Sequence, residues 1–422
     1  MTSPSEAATT DENGPHIPHL ALSRTVLFSL ASIGSGMVFA LFNAQLPLYL
    51  RDYGVSHGLI GLLTNERSFA GAFVLPIIGR MSDRTRSRLG KRRPFFLVGV
   101  PLMSAVLVLL GLRPPFALML AGVLVAGAFL YVALGPYQAM MADITPMHQR
   151  GRIGGFMAFA GLLGAVLVSV LAGLLWQEHS DLVFYATAAV LFLTFALTFL
   201  TVREPEHHVA GRMGTEDGGE VVEKLRLSDY VRDIFRYKRV VEYIGAMSLY
   251  WLAAGGATPF ITLYGTETLH LSQNDASRLF LVLVLSTAAG TVLVGLLADR
   301  LGKARVMRGG LVVFALAAFA AANVQDVASA IPVLILAGLG NACPTVLSVP
   351  LLADLIPKKR AGEFIGLGSF AWSVVQPLGS FLAGYLVDTM NSDRWAFGFA
   401  GVFMALSVLA LSVVKIETIS TG

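Results

Sequence analysis

GRMSDRTRSRLGKRRPFF, residues 79–96, is the stretch on which the reading of this chain turns. Seven of its first fifteen residues are basic: Arg80, Arg84, Arg86, Arg88, Lys91, Arg92 and Arg93. A patch of that kind on a soluble protein would suggest nucleic acid. Here it lies between two apolar runs, each long enough to cross a bilayer, so it reads as a short loop held on the cytoplasmic side by the positive-inside rule. A plainer copy, GLLADRLGKARVMR, occupies 295–308. Asp83 and Asp299 are 216 residues apart, about half of the chain, and that repeat sets the architecture.

Composition points the same way. Of 422 residues 55% are hydrophobic and 14% charged, where a soluble domain carries roughly 25% charged residues. Most apolar side chains must therefore face lipid. The single cysteine, Cys343, excludes a disulfide framework and a thiolate metal site. Residues 1–23 are polar and partly acidic, with no basic stretch ahead of an apolar core, and read as a cytoplasmic tail and not as a secretory signal.

A span takes about 20 mostly apolar residues. Twelve such runs are expected, near 24–50, 57–79, 95–112, 116–141, 152–175, 182–202, 240–264, 275–297, 308–324, 328–351, 363–387 and 394–414. An even count puts both termini on one side. With the termini cytoplasmic, 26 of the 31 Lys and Arg fall on inner loops and ends, and only Arg51, Arg113, Arg278 and Arg394 lie outside. The organisation expected is a tail (1–23), a first six-helix bundle (24–202), a linker (203–239), a second bundle (240–415) and a short tail (416–422). Within the linker, Leu227, Tyr230, Val231 and Ile234 fall at helical spacing between basic residues, as in an amphipathic helix on the inner leaflet.

The halves repeat in detail. Ser56 and Ser272 open spans 2 and 8 at the 216-residue offset. At an offset of 211, Ala142-Asp143-Ile144-Thr145-Pro146 matches Ala353-Asp354-Leu355-Ile356-Pro357, and Leu171-Ala172-Gly173 matches Leu382-Ala383-Gly384. Tandem six-span halves imply a pseudo-twofold axis along the membrane normal and a binding site at mid-membrane between them. The fold class expected is an all-α polytopic membrane protein of two pseudo-symmetric six-helix bundles.

With these residues in place, the chain resembles the major facilitator superfamily. Gly79-x-x-x-Asp83-Arg84 and Gly295-x-x-Ala298-Asp299-Arg300-x-Gly302-Lys303 match its signature loop and the repeat of that loop in the second half. The longer SDRTRSRLGKRRPFF, with GPYQAMMAD before the next inner loop, looks like the sucrose-transporter and glycoside-symporter branch. The resemblance implies a rocking carrier in which Asp83 and Asp299 serve an electrostatic latch. Gly79, Arg84, Arg93, Asp143 and Arg150 would be its other members in the first half, with Gly295, Arg300, Asp354 and Arg360 in the second. It also implies that Gly151 and Gly362 let spans 5 and 11 begin close to their neighbours. Sucrose transporters of plant type carry an aspartate eight residues before their Gly-Pro, and an arginine after Gly-Pro-x. Gly127 and Gln138 stand at those places here.

Charges inside a span are costly and functional by default. The one such pair is Glu66 and Arg67, about ten residues into the second span, so ~15 Å deep. Glu66 is the candidate proton-binding carboxylate, with Arg67 tuning it or gripping substrate oxygens. Neutral candidates for substrate contact are Asn43, Gln45, Asn65, Tyr131, Gln138, Tyr250, Trp251, Asn341, Trp372 and Gln376. Amides and aromatic faces suit a polyhydroxylated ligand. The reading is a proton-coupled sugar or glycoside symporter of the plasma (inner) membrane. A carrier or exporter of another organic solute, an anion or a drug, is the alternative, and a non-transporting receptor the rival from another class. No P-loop, HExxH or nucleophile elbow supports an enzyme. No metal or cofactor is expected beyond a coupling proton or sodium. The partners are the lipid bilayer and a small solute, without nucleic acid, and the chain is expected to act as a monomer.

Overall fold

The computed structural model describes residues 22–145, 149–202, 204, 234–356 and 361–414, with only the backbone of Arg67, Phe69 and residues 361–363. Most of the tails and of the linker, the expected amphipathic helix before Ile234 included, and Arg360 lie outside the described residues. What remains is helical. The helices are α1 (Leu22–Asp52), α2 (57–84), α3 (Arg93–Gly111), α4 (Phe116–Ile144), α5 and α6 (together Arg150–Thr201), α7 (Lys238–Thr268), α8 (Gln273–Leu301), α9 (Lys303–Ala321), α10 (Val327–Leu355), α11 (Ala361–Met390) and α12 (Arg394–Val413). α5 and α6 meet at His179, whose φ of −135° and ψ of 50° leave the helical region. α2 is split at Asn65. The twelve expected spans are all there, several a turn longer than their apolar runs because polar helix ends project from the apolar slab.

α1 packs on α5 and α6, and α7 on α11 and α12. Those two crossings are equivalent in the repeat, and both use glycine. A Cβ on Gly36 would stand 2.0 Å from the Gly161 carbonyl, and one on Gly379 would stand 2.0 Å from that of Leu252. Lipid offers apolar chains as readily as a neighbouring helix does, so close backbone approach and dispersion hold such bundles together. Gly151 does not do this: open space surrounds it, and the contact comes two to three turns deeper, where α1 crosses α5. In the first half Tyr137 packs on Phe28 with ring centroids 4.7 Å apart and donates its hydroxyl to the Phe28 carbonyl. Between halves, α2 meets α11 and α5 meets α8. Exchanging the halves takes α2 to α8 and α11 to α5, so the first pair becomes the second, as a twofold axis requires.

The loop ends divide into a basic face, carrying 80–93 and 300–308, and a far face. On the basic face Glu204, just after α6, accepts the backbone N–H groups of Lys91, Arg92 and Arg93 at 2.6, 2.8 and 3.0 Å. A carboxylate there satisfies the free donors at the start of α3 and meets its positive dipole end. Gly90 has φ of +104°, and a side chain there would strike that carboxylate at 2.7 Å.

Candidate functional site

A cavity of about 620 Å³ lies between the halves at mid-height. Asn43, Gln138, Tyr250, Trp251, Asn341 and Gln376 are on its wall, beside Phe39, Leu134, Met157, Leu162, Phe280 and Leu283. Among the described residues the wall carries no Asp, Glu, Lys, Arg or His. Asn43 sits in a π turn, Leu41–Gln45. Pro47 supplies the cause: its ring clashes with the carbonyl four residues back and it donates no hydrogen bond, so the helix widens locally. Tyr250 donates to the Asn341 amide oxygen at 2.7 Å. The indole N–H of Trp251 is buried without a partner among the described residues, which leaves a donor at the cavity wall.

Four candidates are not on that wall. Asn65 donates to Ser380 at 2.8 Å, and Ser380 in turn donates to the Gly255 carbonyl at 2.5 Å, so the amide ties α2 to α11 and through it to α7. Tyr131 packs against Gly71 of α2. Trp372 stacks on Trp251 with ring centroids 6.4 Å apart. Gln45 is fully buried, and neither end of its amide is bonded among the described residues.

Glu66 is also off the wall. It is buried, and its Oε1 accepts the backbone N–H of Gly127 on α4 at 3.1 Å. The break at Asn65 makes Glu66 the first residue of a helical segment, where the dipole favours an anion. Gly127, standing where the resemblance would have an aspartate, leaves room for a carboxylate supplied instead from α2. Discontinuous helices of this kind mark ion and substrate sites in carriers.

On the basic face these ion pairs between described residues close within one half or the other. Arg92 reaches Asp83 at 2.6 Å and Asp143 at 3.0 Å, and Lys303 reaches Asp354 at 2.7 Å. Arg92, the joining residue, was passed over in the sequence in favour of Arg93. Arg93 instead lies over the Phe199 ring and donates to the Phe199 carbonyl. Arg150 donates to the carbonyl of Ala142. Gly79 and Gly295 face open space, while Arg84, Asp299 and Arg300 are exposed at the helix ends.

The far face holds what sequence reasoning missed. Arg51 of α1 pairs with Glu267 of α7 at 2.6 Å across the halves. His57, the first residue of α2, places Nδ1 2.8 Å from Asp388 and Nε2 3.1 Å from Glu267 and 3.5 Å from Asp393. Asp388 also accepts the N–H groups of His57 and Gly58, capping α2 from the opposite half. Thr262 donates to the Ala44 carbonyl at 2.7 Å, and Gln273 to Asp52 at 3.1 Å. One signal was available: Arg51 and Glu267 are 216 positions apart, the repeat offset itself, so they are equivalents that meet at the axis.

Comparison with known proteins agrees with this geometry. The family model described as Major Facilitator Superfamily matches residues 28–286 and 243–418. The chain is 28% identical over 295 residues to the Multidrug resistance protein MdtG of Enterobacter lignolyticus, covering 66% of this chain and 65% of that protein. It is 27% identical over 296 residues to that of Salmonella choleraesuis, covering 66% and 67%. The chain thus spans about two thirds of the length of the curated relatives it matches. Among solved structures, nucleoside transporter NupG superposes with a TM-score of 0.73 at 13% identity, covering 93% of this chain and 99% of that one. The inward open xylose transporter XylE from E. coli gives 0.71 at 15%, covering 94% and 97%. At such identities the likeness is one of fold. With its twelve helices in two repeated sixes around a mid-membrane cavity, this chain belongs to the Major Facilitator Superfamily.

Proposed function

We propose that this protein is a secondary carrier exporting uncharged, partly apolar organic solutes in exchange for protons. The observation that carries the reading is the cavity wall: amides and an indole N–H set among aliphatic and aromatic side chains, with no ionised group among the described residues. Such a wall receives a neutral amphipathic molecule without stranding a buried charge. The names of the curated relatives, multidrug resistance proteins, favour export. With the basic face cytoplasmic, the ties at the far face are those of a carrier closed to the outside. Glu66 is its candidate proton carboxylate. The halves rock about the axis at which Arg51 and Glu267 meet, and the basic-face aspartates re-pair as they do so.

Sugar uptake is the second reading, favoured by four amides, Asn43, Gln138, Asn341 and Gln376, beside the Trp251 ring. Proteoliposomes holding a pH dye separate the two. Entry of an exported solute run in reverse makes the lumen more alkaline, while entry of a symported sugar acidifies it. The expected result is alkalinisation by neutral lipophilic compounds, reduced at least tenfold in Glu66→Gln, and no response to sugars. Sugar-evoked acidification would overturn export, and an undiminished response in Glu66→Gln would remove Glu66 from the coupling.

A further inference from the structure

His57 is bracketed by carboxylates. Its Nδ1 faces Asp388 Oδ1 at 2.8 Å, and its Nε2 faces Glu267 Oε2 at 3.1 Å and Asp393 Oδ1 at 3.5 Å. A neutral imidazole has one N–H and one lone pair, so either tautomer would aim a lone pair at a carboxylate. Only the imidazolium donates from both nitrogens. All three carboxylates belong to the other half of the molecule, so this environment exists only while the far face is closed. We propose that His57 is a proton-binding site of the far-face gate, taking up a proton as the halves close and giving it up as they part.

The surroundings are accounted for on every side. From α1, Arg51 is engaged by Glu267, and Asp52 faces Arg113 at 3.6 Å and accepts from Gln273. From α7 come Glu267 and the neutral Phe260 ring, 6.4 Å from the imidazole. α11 contributes Asp388, and the turn before α12 contributes Asp393, with Arg394 beyond it against Tyr264. The three carboxylates around His57 thus face Arg51 and the imidazole. Burial pushes the Asp393 carboxyl above the usual range, and the two nearer carboxylates, Glu267 and Asp388, stand against two cations, Arg51 and the imidazolium. When the gate opens, the carboxylates leave with their half and His57 returns to water, where a histidine holds its proton at roughly pH 6.5.

The linkage has a definite sign. The closed state binds the proton more tightly, so acid favours closure. Between the two proton affinities the closed-to-open ratio rises about tenfold for each unit fall in pH, for one proton. The site draws its meaning from the carrier reading above, but its test needs no substrate, so failure of either leaves the other standing.

Spin labels at Leu112→Cys and Met390→Cys, exposed by 66% and 52% at the far ends of α3 and α11, report the gate distance, with Cys343→Ser as background. In nanodiscs with EDTA, between pH 5.5 and 8.5, the short-distance population of the otherwise native protein is expected to grow as pH falls, and His57→Gln to flatten the response. Arg51→Gln removes a cation beside Glu267 but leaves the partners of His57 in place. It is expected to move up, by about 0.5 pH unit or more, the pH at which the closed-to-open ratio begins to rise as pH falls, whatever the loss of that tie does to the ratio itself. A pH-independent distance in the otherwise native protein overturns the proposal, as does a His57→Gln protein that still titrates. If His57→Gln does not fold, Arg51→Gln decides alone: an onset of the rise at higher pH supports the site, and an unmoved or lowered onset overturns it.

Discussion

The two crossings that join the halves, α2 on α11 and α5 on α8, are equivalent in the repeat but differ in chemistry. At α2–α11 a buried imidazole and an aspartate meet, and the backbones touch: a Cβ on Gly384 would lie 2.2 Å from the His57 carbonyl oxygen. At α5–α8 the equivalent positions are Gln177 and Gln273, and the tie is neutral, with the Gln177 N–H donating to Asn274 at 2.9 Å. The glycine equivalent to Gly384 is Gly173, which meets only the flexible stem of Arg278, at 2.9 Å. Symmetry of fold therefore does not carry symmetry of function. One crossing is rigid, charged and sensitive to protonation, and the other is an adaptable neutral seam.

Substitutions in equivalent pairs can break that contrast. The largest difference is expected between Gly384→Ala and Gly173→Ala. The first forces a methyl group into backbone and should cost a few kcal/mol, read as a clear fall in Tm in detergent and at least a tenfold loss of transport. The second displaces one long side chain and should stay within about 0.5 kcal/mol. Equal effects would dissolve the distinction between a rigid and an adaptable crossing. Next come the polar ties. Asp388→Ala removes the cap of α2 and a charge-assisted partner of His57, which should lower the closed-to-open ratio by about 2 kcal/mol, roughly thirtyfold. Asn274→Ala loses neutral bonds worth about 0.5–1 kcal/mol. The label distances above measure both. Smallest is Arg51→Gln at neutral pH. That pair is 40% and 28% exposed, so its loss should change the closed fraction by no more than about 1 kcal/mol, and by less in 0.5 M salt. A larger, salt-independent effect would make the axis pair, and not the α2–α11 crossing, the main tie.

Several parts of this were legible in the sequence. The 216-residue offset located the two equivalent basic-face loops and, applied to Arg51, could have located Glu267. Six of the ten neutral candidates, Asn43 and Gln376 among them, do line the cavity, because polar side chains in apolar runs seldom face lipid. Asn65, Tyr131, Trp372 and Gln45 were equally polar and equally deep, but they point at neighbouring helices. Nothing in the one-dimensional pattern separates an amide that joins two helices from one that faces a cavity. Arg92 and Arg93 are adjacent and both basic; the turn at Gly90 and the Glu204 cap decide which of them reaches Asp83 and Asp143.

What the sequence determined by itself follows from local chemistry. Apolar runs of a given length must cross a bilayer, basic residues gather on one side, and a repeat of motifs implies two equivalent halves. Only the tertiary structure decided which helix faces meet. It brings His57 to Asp388 across 331 positions and to Glu267 across 210, sets Glu66 against Gly127, and chooses the cavity wall. The physical reason is that lipid-facing and buried surfaces of a membrane helix are both apolar. Periodicity therefore carries little record of orientation. The record lies in glycine contacts and polar ties, each of which needs a partner far away in the chain.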